Sequence, residues 1–318
     1  MRSFLLILFI CMPQSAITEN EPIRRFEFNY RFLAGEFPSH KAVDIYIPMP
    51  VVNGSQRIMS TQFRSSFAGK EGVESTHGNR YFHIRRPANL NGPIDAEFTW
   101  VVERKMLTDD PQALSEKDRQ RYLAPNNLVP VGHKILDTIR TEIHSSRADQ
   151  SAIATARAIY DWVVENIEYK KIGGGWGNGD TFWVSNQRMG NCTDFHALFI
   201  SLARSEGIPA RFEIGFRIPL SMAGGSINNY HCWAQFYLPE RGWVPVDAAE
   251  AAQHPELKEM RYGYLPADRI HFSTGRDIVL SPAGEYQALN FFIYPYVEVG
   301  GVPWKVNLKT EFSYRAFN

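Results

Sequence analysis

Cysteine is scarce in this sequence of 318 residues, which contains only three, at positions 11, 192 and 232. Three cysteines exclude the dense disulfide framework that holds small secreted domains together. An excess of charge is also lacking, because 34 Lys and Arg residues balance 34 Asp and Glu residues. Nucleic-acid binders normally need a basic face, so this balance argues against a nucleic-acid partner.

Long hydrophobic runs are absent as well, and no stretch approaches the roughly 20 apolar residues that a membrane-spanning helix needs. The apolar run over residues 4–12 follows Arg2 and is typical of a signal peptide, with Ala16 suited to cleavage. We therefore predict a signal peptide over residues 1–18. The protein is then exported, periplasmic or secreted, with no integral membrane segment in the mature chain. Whether Cys11 is lipidated stays open at this level.

Apolar residues are plentiful, at 44% with 13% aromatic, which is enough to bury a core in each of about two domains. They alternate at period two in the first third of the chain, as at Phe26 and Phe28. This alternation predicts an antiparallel β-sandwich-like domain over residues 22–108. Helical spacing follows within residues 109–268, the predicted core, and alternation returns over residues 269–318, a predicted C-terminal β extension. The sequence therefore predicts an α+β protein.

One predicted helix begins with a cysteine. Residues 190–207 read GNCTDFHALFISLARSEG, and Asn191 is a natural N-cap that places Cys192 at the first helical position. Unpaired backbone N–H groups and the positive end of the helix dipole favour the thiolate there. This position is typical of a nucleophile that shares its helix start with an oxyanion site. A free cysteine that merely fills space is the alternative.

A candidate base lies on a later predicted hairpin. His231 opens an alternating strand, and a turn closed by Gly242 leads to a second short strand that ends at Asp247. In this hairpin Asp247 lies opposite Trp233 and diagonal to His231, within reach of its side chain. Asp247 can then hold the imidazole nitrogen remote from the thiol, as the third member of a catalytic triad does. The alternative is a histidine on a half-exposed strand beside an unrelated aspartate.

A metal centre is a weaker interpretation of the same region. Four side chains offer soft ligands, at Cys192, His196, His231 and Cys232. The spacing is poor, because adjacent strand residues such as His231 and Cys232 face opposite sides and no CxxC or HExxH motif occurs. We expect no metal, and we expect strand alternation to separate Cys232 from Cys192 and so to prevent a disulfide. His196, one turn after Cys192, is expected to pack against or support the site.

The glycine-rich residues 173–180 form a predicted flexible loop. The loop lacks the Gly-Lys-Ser/Thr ending of a phosphate-binding loop, so we expect no nucleotide and no other cofactor.

Two segments carry a resemblance to a known family, GNCTDFHALFISLARSEGIPARFEIGF and YHCWAQFYLPERGWVPVDAAEA. They resemble the transglutaminase-like superfamily, in particular its bacterial exported branch. The shared pattern is a Gly-x-Cys helix start, a Gly-Ile-Pro-Ala-Arg segment, His-x-Trp on a strand and Gly-Trp-x-Pro-Val-Asp. The resemblance implies an ordered triad that falls on Cys192, His231 and Asp247. It also implies a papain-like core, in which the cysteine-bearing helix packs against an antiparallel sheet.

The resemblance implies thiol attack on an amide or ester carbonyl of a protein or peptide substrate, through a thioester intermediate. Water as the acceptor gives a peptidase or amidase, and an amine gives protein-glutamine acyl transfer. Hydrolysis is favoured, because exported members resemble cysteine peptidases and no calcium-binding loop is visible. A non-catalytic binding or scaffold module of the same fold is the remaining alternative. The backbone N–H of Cys192 is the expected oxyanion donor, with Gln187 as a second donor and Trp176 and Trp183 as substrate contacts.

Overall fold

A computed structural model of the protein describes residues 23–220, 223–281, 288–305 and 308–317. The predicted signal peptide and its Cys11 lie outside the described residues. Within the described ranges the chain forms six α-helices: α1 (Glu116–Leu123), α2 (Asp137–Ser146), α3 (Ala152–Asn166), α4 (Thr181–Gln187), α5 (Cys192–Ser205) and α6 (Ala248–Gln253). Single-turn 3₁₀-helices lie at Lys134–Leu136 and Pro255–Leu257. No helix in this part of the chain has both the length and the apolar character needed to cross a membrane.

The same ranges contain sixteen β-strands: β1 (Arg24–Ala34), β2 (Val43–Pro48), β3 (Gln56–Ser65), β4 (Gly69–Val73), β5 (Arg80–Arg86), β6 (Ile94–Arg104), β7 (Glu168–Tyr169), β8 (Met189–Gly190), β9 (Ala210–Arg217), β10 (Gly224–Ile227), β11 (Tyr230–Leu238), β12 (Gly242–Val246), β13 (Arg269–Thr274), β14 (Tyr296–Val299), β15 (Val302–Pro303) and β16 (Leu308–Ala316). Apart from the short parallel pair β7 and β8, these strands form three antiparallel sheets.

Two of the sheets have five strands each, in the orders β10-β16-β1-β6-β3 and β15-β14-β2-β5-β4. Strand β1 shows the alternation that the sequence predicts, because Phe26, Phe28 and Tyr30 are buried between more exposed neighbours. Strand β16 pairs with β1 and brings Ala316 opposite Phe26. Strands from the beginning and the end of the chain are therefore joined in one sheet.

The third sheet, called the core sheet below, has the order β12-β11-β9-β13 and carries the cysteine helix. Helix α5 packs across β11 and β9, and all of its residues from Cys192 to Arg204 are buried. Helices α3, α4 and α6 pack around α5. Strand β13 joins the sheet by pairing Arg269 with Arg217 of β9. The predicted α+β fold is confirmed, with antiparallel sheets flanking a helix-on-sheet core.

Aromatic side chains join the core sheet to the five-stranded sheet that contains β1, called the N-terminal sheet below. The ring centroids of Phe28 on β1 and Phe216 on β9 lie 5.2 Å apart, and Phe272 on β13 lies 5.6 Å from Phe28. Rings at these separations attract one another beyond the gain from burial alone. One continuous apolar core therefore supports β9 and β13, the strands on which much of the candidate site is built.

Candidate active site

Helix α5 begins at Cys192, as the sequence predicts. The side chain of Asn191 accepts a hydrogen bond from the backbone N–H of Thr193 at 2.9 Å. Asp194 in turn accepts one from the backbone N–H of Asn191, also at 2.9 Å. This reciprocal cap fixes the first turn of the helix and satisfies donors that a helix start leaves unpaired. Cys192 is 3% exposed and lies at the positive end of the helix dipole, which favours its thiolate.

The glycine-rich loop before α5 is tied to this helix start. Asp194 accepts hydrogen bonds from the backbone N–H groups of Gly177 at 2.7 Å and Gly179 at 2.9 Å. Gly179 has a φ of +59°, which favours glycine. Arg276 donates to the carbonyl oxygen of Asn178 at 2.9 Å and holds the loop from the other side. The predicted flexible loop is therefore an anchored segment beside the start of α5.

Strands β11 and β12 bring His231 and Asp247 together. Ala234 pairs with Val246, which confirms the predicted register of the hairpin. His231 Nε2 donates a hydrogen bond to Asp247 Oδ2 at 2.6 Å. His231 also interacts with the Cys192 thiol and lowers its pKa, and because Asp247 engages Nε2, Nδ1 is the nitrogen that remains for the thiol. The three residues of the predicted triad thus lie together in one row, with His231 hydrogen-bonded to Asp247 and interacting with Cys192.

The electrostatics of this row favour a thiolate beside an imidazolium. A hydrogen bond from Cys232 and the contact with His231 hold the pKa of Cys192 well below its usual value, although burial opposes this. Burial would lower the pKa of His231, but the charge of Asp247 and the hydrogen bond to it raise that pKa to about 10. Burial would raise the pKa of Asp247, but His231 and Arg269 keep it well below its usual value. These shifts favour the charged forms of the row, which are a thiolate, an imidazolium and a carboxylate.

Cys232 lies beside the first cysteine. Its sulfur is 3.5 Å from His196 Nδ1 on α5, and its thiol lowers the pKa of Cys192. The expected separation of Cys232 from Cys192 is wrong, because the helix that Cys192 begins packs on the face of β11 that Cys232 occupies. Both cysteines are free thiols. Burial and the charge of Cys192 raise the pKa of Cys232, so Cys232 stays protonated and acts as the donor.

His196 lies between Cys232 and the carboxylate. It is fully buried, with Nδ1 facing Cys232 and Nε2 3.7 Å from Asp247 Oδ1. Burial lowers the pKa of His196 and keeps its imidazole neutral. These contacts agree with the expectation that His196 packs against and supports the site.

Sequence reasoning misses the arginine that lies behind Asp247. The side chain of Arg269 is fully buried, and its Nη1 donates to Asp247 Oδ2 at 3.2 Å. Its Nη2 donates to Glu250 Oε2 at 3.3 Å, and its Nε donates to Asp268 Oδ1 at 3.1 Å. In the sequence, Asp268-Arg269 looks like any charged turn before a strand. Only the packing of β13 against β9 shows that the pair is buried.

Three tyrosines near the thiol are missed as well: Tyr169, Tyr230 and Tyr294. Burial and the charge of the Cys192 thiolate raise the pKa of each phenol, so all three are neutral. Asn191 Nδ2 donates to the Tyr230 hydroxyl at 3.2 Å, which links this ring to the helix cap. Tyr294 is 39% exposed and reaches solvent. Tyr230 could be found from the sequence as the neighbour of the candidate base, whereas the other two are remote along the chain.

The remaining predicted site residues lie before α5. Gln187 ends α4 with an exposed side chain, and no hydrogen bond among the described residues joins it to the thiol. Between Gln187 and Cys192 the chain changes direction at Arg188, which has a φ of +54°, and then runs through strand β8. Trp183 packs half-buried against the core, and Trp176 Nε1 donates to the carbonyl oxygen of Gly173 at 3.1 Å. The roles of Gln187 and both tryptophans stay predictions.

A metal would have to compete with arginine for the carboxylates of this site. His231, Asp247 and Glu250 place possible ligand atoms within 4.8 Å of one another. Arg269 already donates to both carboxylates, and Arg261 Nε donates to Glu250 at 2.6 Å. These guanidinium charges repel a cation, so the donor set fits its arginine partners better than it fits a metal.

Comparison with known proteins places this geometry in a family. The sequence model of the Transglutaminase-like superfamily matches residues 138–248, a segment that holds α5, β11, β12 and Asp247. An uncharacterised protein of Haemophilus influenzae is 28% identical over 323 residues, which cover 87% of this chain and 86% of that protein. The protein YebA of Bacillus subtilis is 38% identical over 77 residues, 21% of this chain and 10% of its own length.

A solved structure shares the fold over almost the whole chain. It is that of a candidate cysteine protease from Cytophaga hutchinsonii, with a TM-score of 0.60 and 18% identity, covering 93% of this chain and 92% of the other. The matched segment contains the capped cysteine helix and the hairpin that carries the histidine and the aspartate. Residues 138–248, which contain these elements, match the transglutaminase-like superfamily.

Proposed function

We propose that this protein is an exported cysteine hydrolase that cleaves amide bonds in proteins or peptides through Cys192, His231 and Asp247. One observation carries the proposal: the 2.6 Å bond from His231 Nε2 to Asp247, which leaves Nδ1 for a thiol at a helix start. A nucleophile, a base and an orienting carboxylate in this order are the arrangement of thiol enzymes. Export is proposed from the apolar leader alone.

In the proposed reaction the Cys192 thiolate attacks the amide carbonyl carbon, and the carbonyl π electrons move onto oxygen as the C–S bond forms. The backbone N–H of Cys192 stabilises this oxyanion at the helix start. His231 Nδ1–H then gives its proton to the leaving amine as the C–N bond breaks, which leaves a thioester and a neutral imidazole. Asp247 keeps the proton on Nε2 throughout.

Hydrolysis of the thioester reverses these roles. Neutral His231 takes a proton from water through Nδ1 while the water oxygen adds to the thioester carbonyl. The C–S bond then breaks, the acid product leaves, and the thiolate and imidazolium are restored. An amine in place of water would give acyl transfer by the same steps. We favour water because the C. hutchinsonii structure bears the name of a cysteine protease.

A single incubation can separate the candidate functions. The purified protein is mixed with a peptide library and dansylcadaverine, a primary amine, and the products are identified by mass spectrometry, with Cys192→Ala as the control. Hydrolysis yields new carboxyl termini or deamidated side chains that the variant does not produce, and acyl transfer yields dansyl adducts. Products that also form with Cys192→Ala would contradict a thiol mechanism.

A second measurement needs no substrate. Iodoacetamide labelling of Cys192, followed across pH, should proceed well below the range of an ordinary thiol, because the contacts of Cys232 and His231 lower the pKa of Cys192. Labelling only above about pH 8 would identify an ordinary thiol. That result, with no products from the library, would favour a binding or scaffold module.

A further inference from the structure

We propose that Arg269 is a positioning residue for this reaction, which acts by fixing the Asp247 carboxylate against His231. The inference rests on the proposed function, since it concerns the orientation of the same row of side chains.

The geometry places Arg269 and His231 on the same oxygen of Asp247. Oδ2 accepts from His231 Nε2 at 2.6 Å and from Arg269 Nη1 at 3.2 Å. Oδ1 accepts from the backbone N–H of Glu250 at 2.9 Å, at the start of α6. Both oxygens are therefore held, and the three donors come from β11, β13 and α6. The carboxylate plane is fixed by three separate elements.

Arg269 is itself held on every side. Its guanidinium carbon lies 5.3 Å from the ring centroid of Trp233, and the indole N–H of Trp233 donates to Glu213 at 2.9 Å. Its other two donor nitrogens bind Glu250 and Asp268. A side chain with this many fixed contacts transmits its position to Asp247, whereas a solvated arginine would not.

Stability does not account for this cluster. Three carboxylates meet three guanidinium groups here: Asp247, Glu250 and Asp268 against Arg269, Arg217 and Arg261. Buried ion pairs of this kind often stabilise a protein no more than apolar residues of the same volume. What a fixed cation supplies, and an apolar residue does not, is a carboxylate of set orientation and charge.

The cation also has a consequence for the proton on His231. The charged and titratable groups around His231 are Cys192 and His196 from α5, Asp247 and Glu250 beside α6, and Arg269 from β13, while Cys232, next along the strand, faces His196. Asp247 raises the pKa of the imidazolium, and Arg269 opposes this rise through Asp247, because its guanidinium competes with His231 for the same oxygen, Oδ2. The base therefore releases its proton to the leaving amine more readily than it would beside Asp247 alone.

The test follows the pH dependence of Cys192 alkylation by iodoacetamide in the full-length protein. Wild type should show a first rise at low pH, as the thiolate forms, and a second rise near the pH where the imidazolium loses its proton. Arg269→Gln should move the second rise upward by roughly 0.5 to 1 pH unit, because Oδ2 of Asp247 then accepts from His231 without competition from the guanidinium. Arg217→Gln is the matched control, because Arg217 binds Glu250 and Asp268 but not Asp247.

A double-mutant cycle decides whether Arg269 acts through Asp247. The shift caused by Arg269→Gln should disappear when Asp247→Asn is already present. Equal shifts in the Arg269 and Arg217 variants, or a shift that persists beside Asp247→Asn, would overturn the proposal. If Arg269→Gln does not fold, Arg269→Lys takes its place, with a smaller upward shift expected because lysine cannot hold two carboxylates at once. An unmoved second rise in folded Arg269→Lys would also overturn it.

The two proposals fail in different ways. A wild-type protein without labelling below about pH 8 would contradict the proposed function. A normal two-step profile in wild type that Arg269→Gln leaves unchanged would contradict only the role of Arg269.

Discussion

The inward face of strand β1 and the first residue of strand β13 are both fully buried, but they bury opposite chemistry. Strand β1 turns Phe26, Phe28 and Tyr30 into the core, and their neighbours there are other rings. Strand β13 begins with Arg269, which lies among carboxylates such as Asp247. The rings pack against β9 and β13, and the charges lie around Asp247.

The difference shows how the molecule divides its tasks. Burial of rings stabilises the fold by roughly 25 cal/mol for each Å² removed from water. Burial of a charge costs hydration free energy, and the attraction of its ion-pair partners only offsets this cost. Buried charges are therefore retained where their position matters for function. We therefore expect damage near β1 to lower the free energy of unfolding, and damage near Asp247 to lower the rate.

The largest expected effect is a loss of turnover, and it tests the region of the comparison that contains Cys192 and Asp247. Cys192→Ala should abolish turnover, because no other described side chain occupies the nucleophile position, while the urea unfolding curve stays close to that of wild type. The variant removes one sulfur from the start of a helix that its cap still holds. Product formation by mass spectrometry and unfolding followed by fluorescence measure both sides. Residual turnover above a trace would remove Cys192 from the mechanism.

The next largest effect is a loss of stability, and it tests the aromatic rings of the N-terminal sheet. Phe98→Ala should lower the free energy of unfolding by about 3–5 kcal/mol, because the ring is fully buried between Phe82 and Trp100, each 5.3 Å away. The alkylation profile of Cys192 should not move in the folded fraction. Phe98→Leu is the control and should cost less, because it leaves a smaller cavity. A shifted profile in folded Phe98→Ala would break the division between the two regions.

Asp247→Asn removes the carboxylate charge that His231 and Arg269 contact, and it changes the shape of the side chain little. The rate should fall by roughly 10–10³-fold, less than the loss known for a serine-protease triad, because the thiolate is already formed. The upper limb of the pH profile should move to lower pH, since loss of the carboxylate lowers the pKa of His231, which Asp247 raises. Activity measured from pH 5 to pH 11 checks both. A wild-type rate with an unmoved upper limb would leave a Cys–His pair with another orienting group.

The smallest effect lies at the boundary between the two regions. Cys232→Ala should cost about 1 kcal/mol of unfolding free energy, because it leaves a small buried cavity. It should also move thiolate formation at Cys192 to higher pH, because the hydrogen bond from Cys232 is lost. Cys232→Ser keeps a donor and should shift the alkylation profile less. Identical profiles in all three proteins would show that Cys232 only fills space.

The sequence predicts the structure correctly where contacts between neighbouring residues decide it. Asn191 and Asp194 cap α5 through bonds within one turn, so the position of Cys192 could be predicted from residues next to it. The register of β11 and β12 follows from a short turn, so His231 and Asp247 could be paired as well.

The rest depends on which distant elements pack together, and periodicity does not encode that. The burial of Arg269 requires β13 to pair with β9, about 50 residues earlier in the chain. The contact of Cys232 with Cys192 requires knowing on which face of the core sheet α5 lies. Strand alternation predicts that two neighbouring residues face opposite sides of the sheet. It does not predict which of these sides faces the helix.

The pairing of β1 with β16 has a consequence for the order of folding. Phe26 and Ala316 are partners across almost the full described chain, so the contact cannot form until β16 has been synthesised. Closing so long a loop is slow compared with forming the local cysteine helix or its hairpin. One edge of strand β1 therefore waits unpaired while the core assembles, and the sheet that contains β1 is completed only when β16 is available.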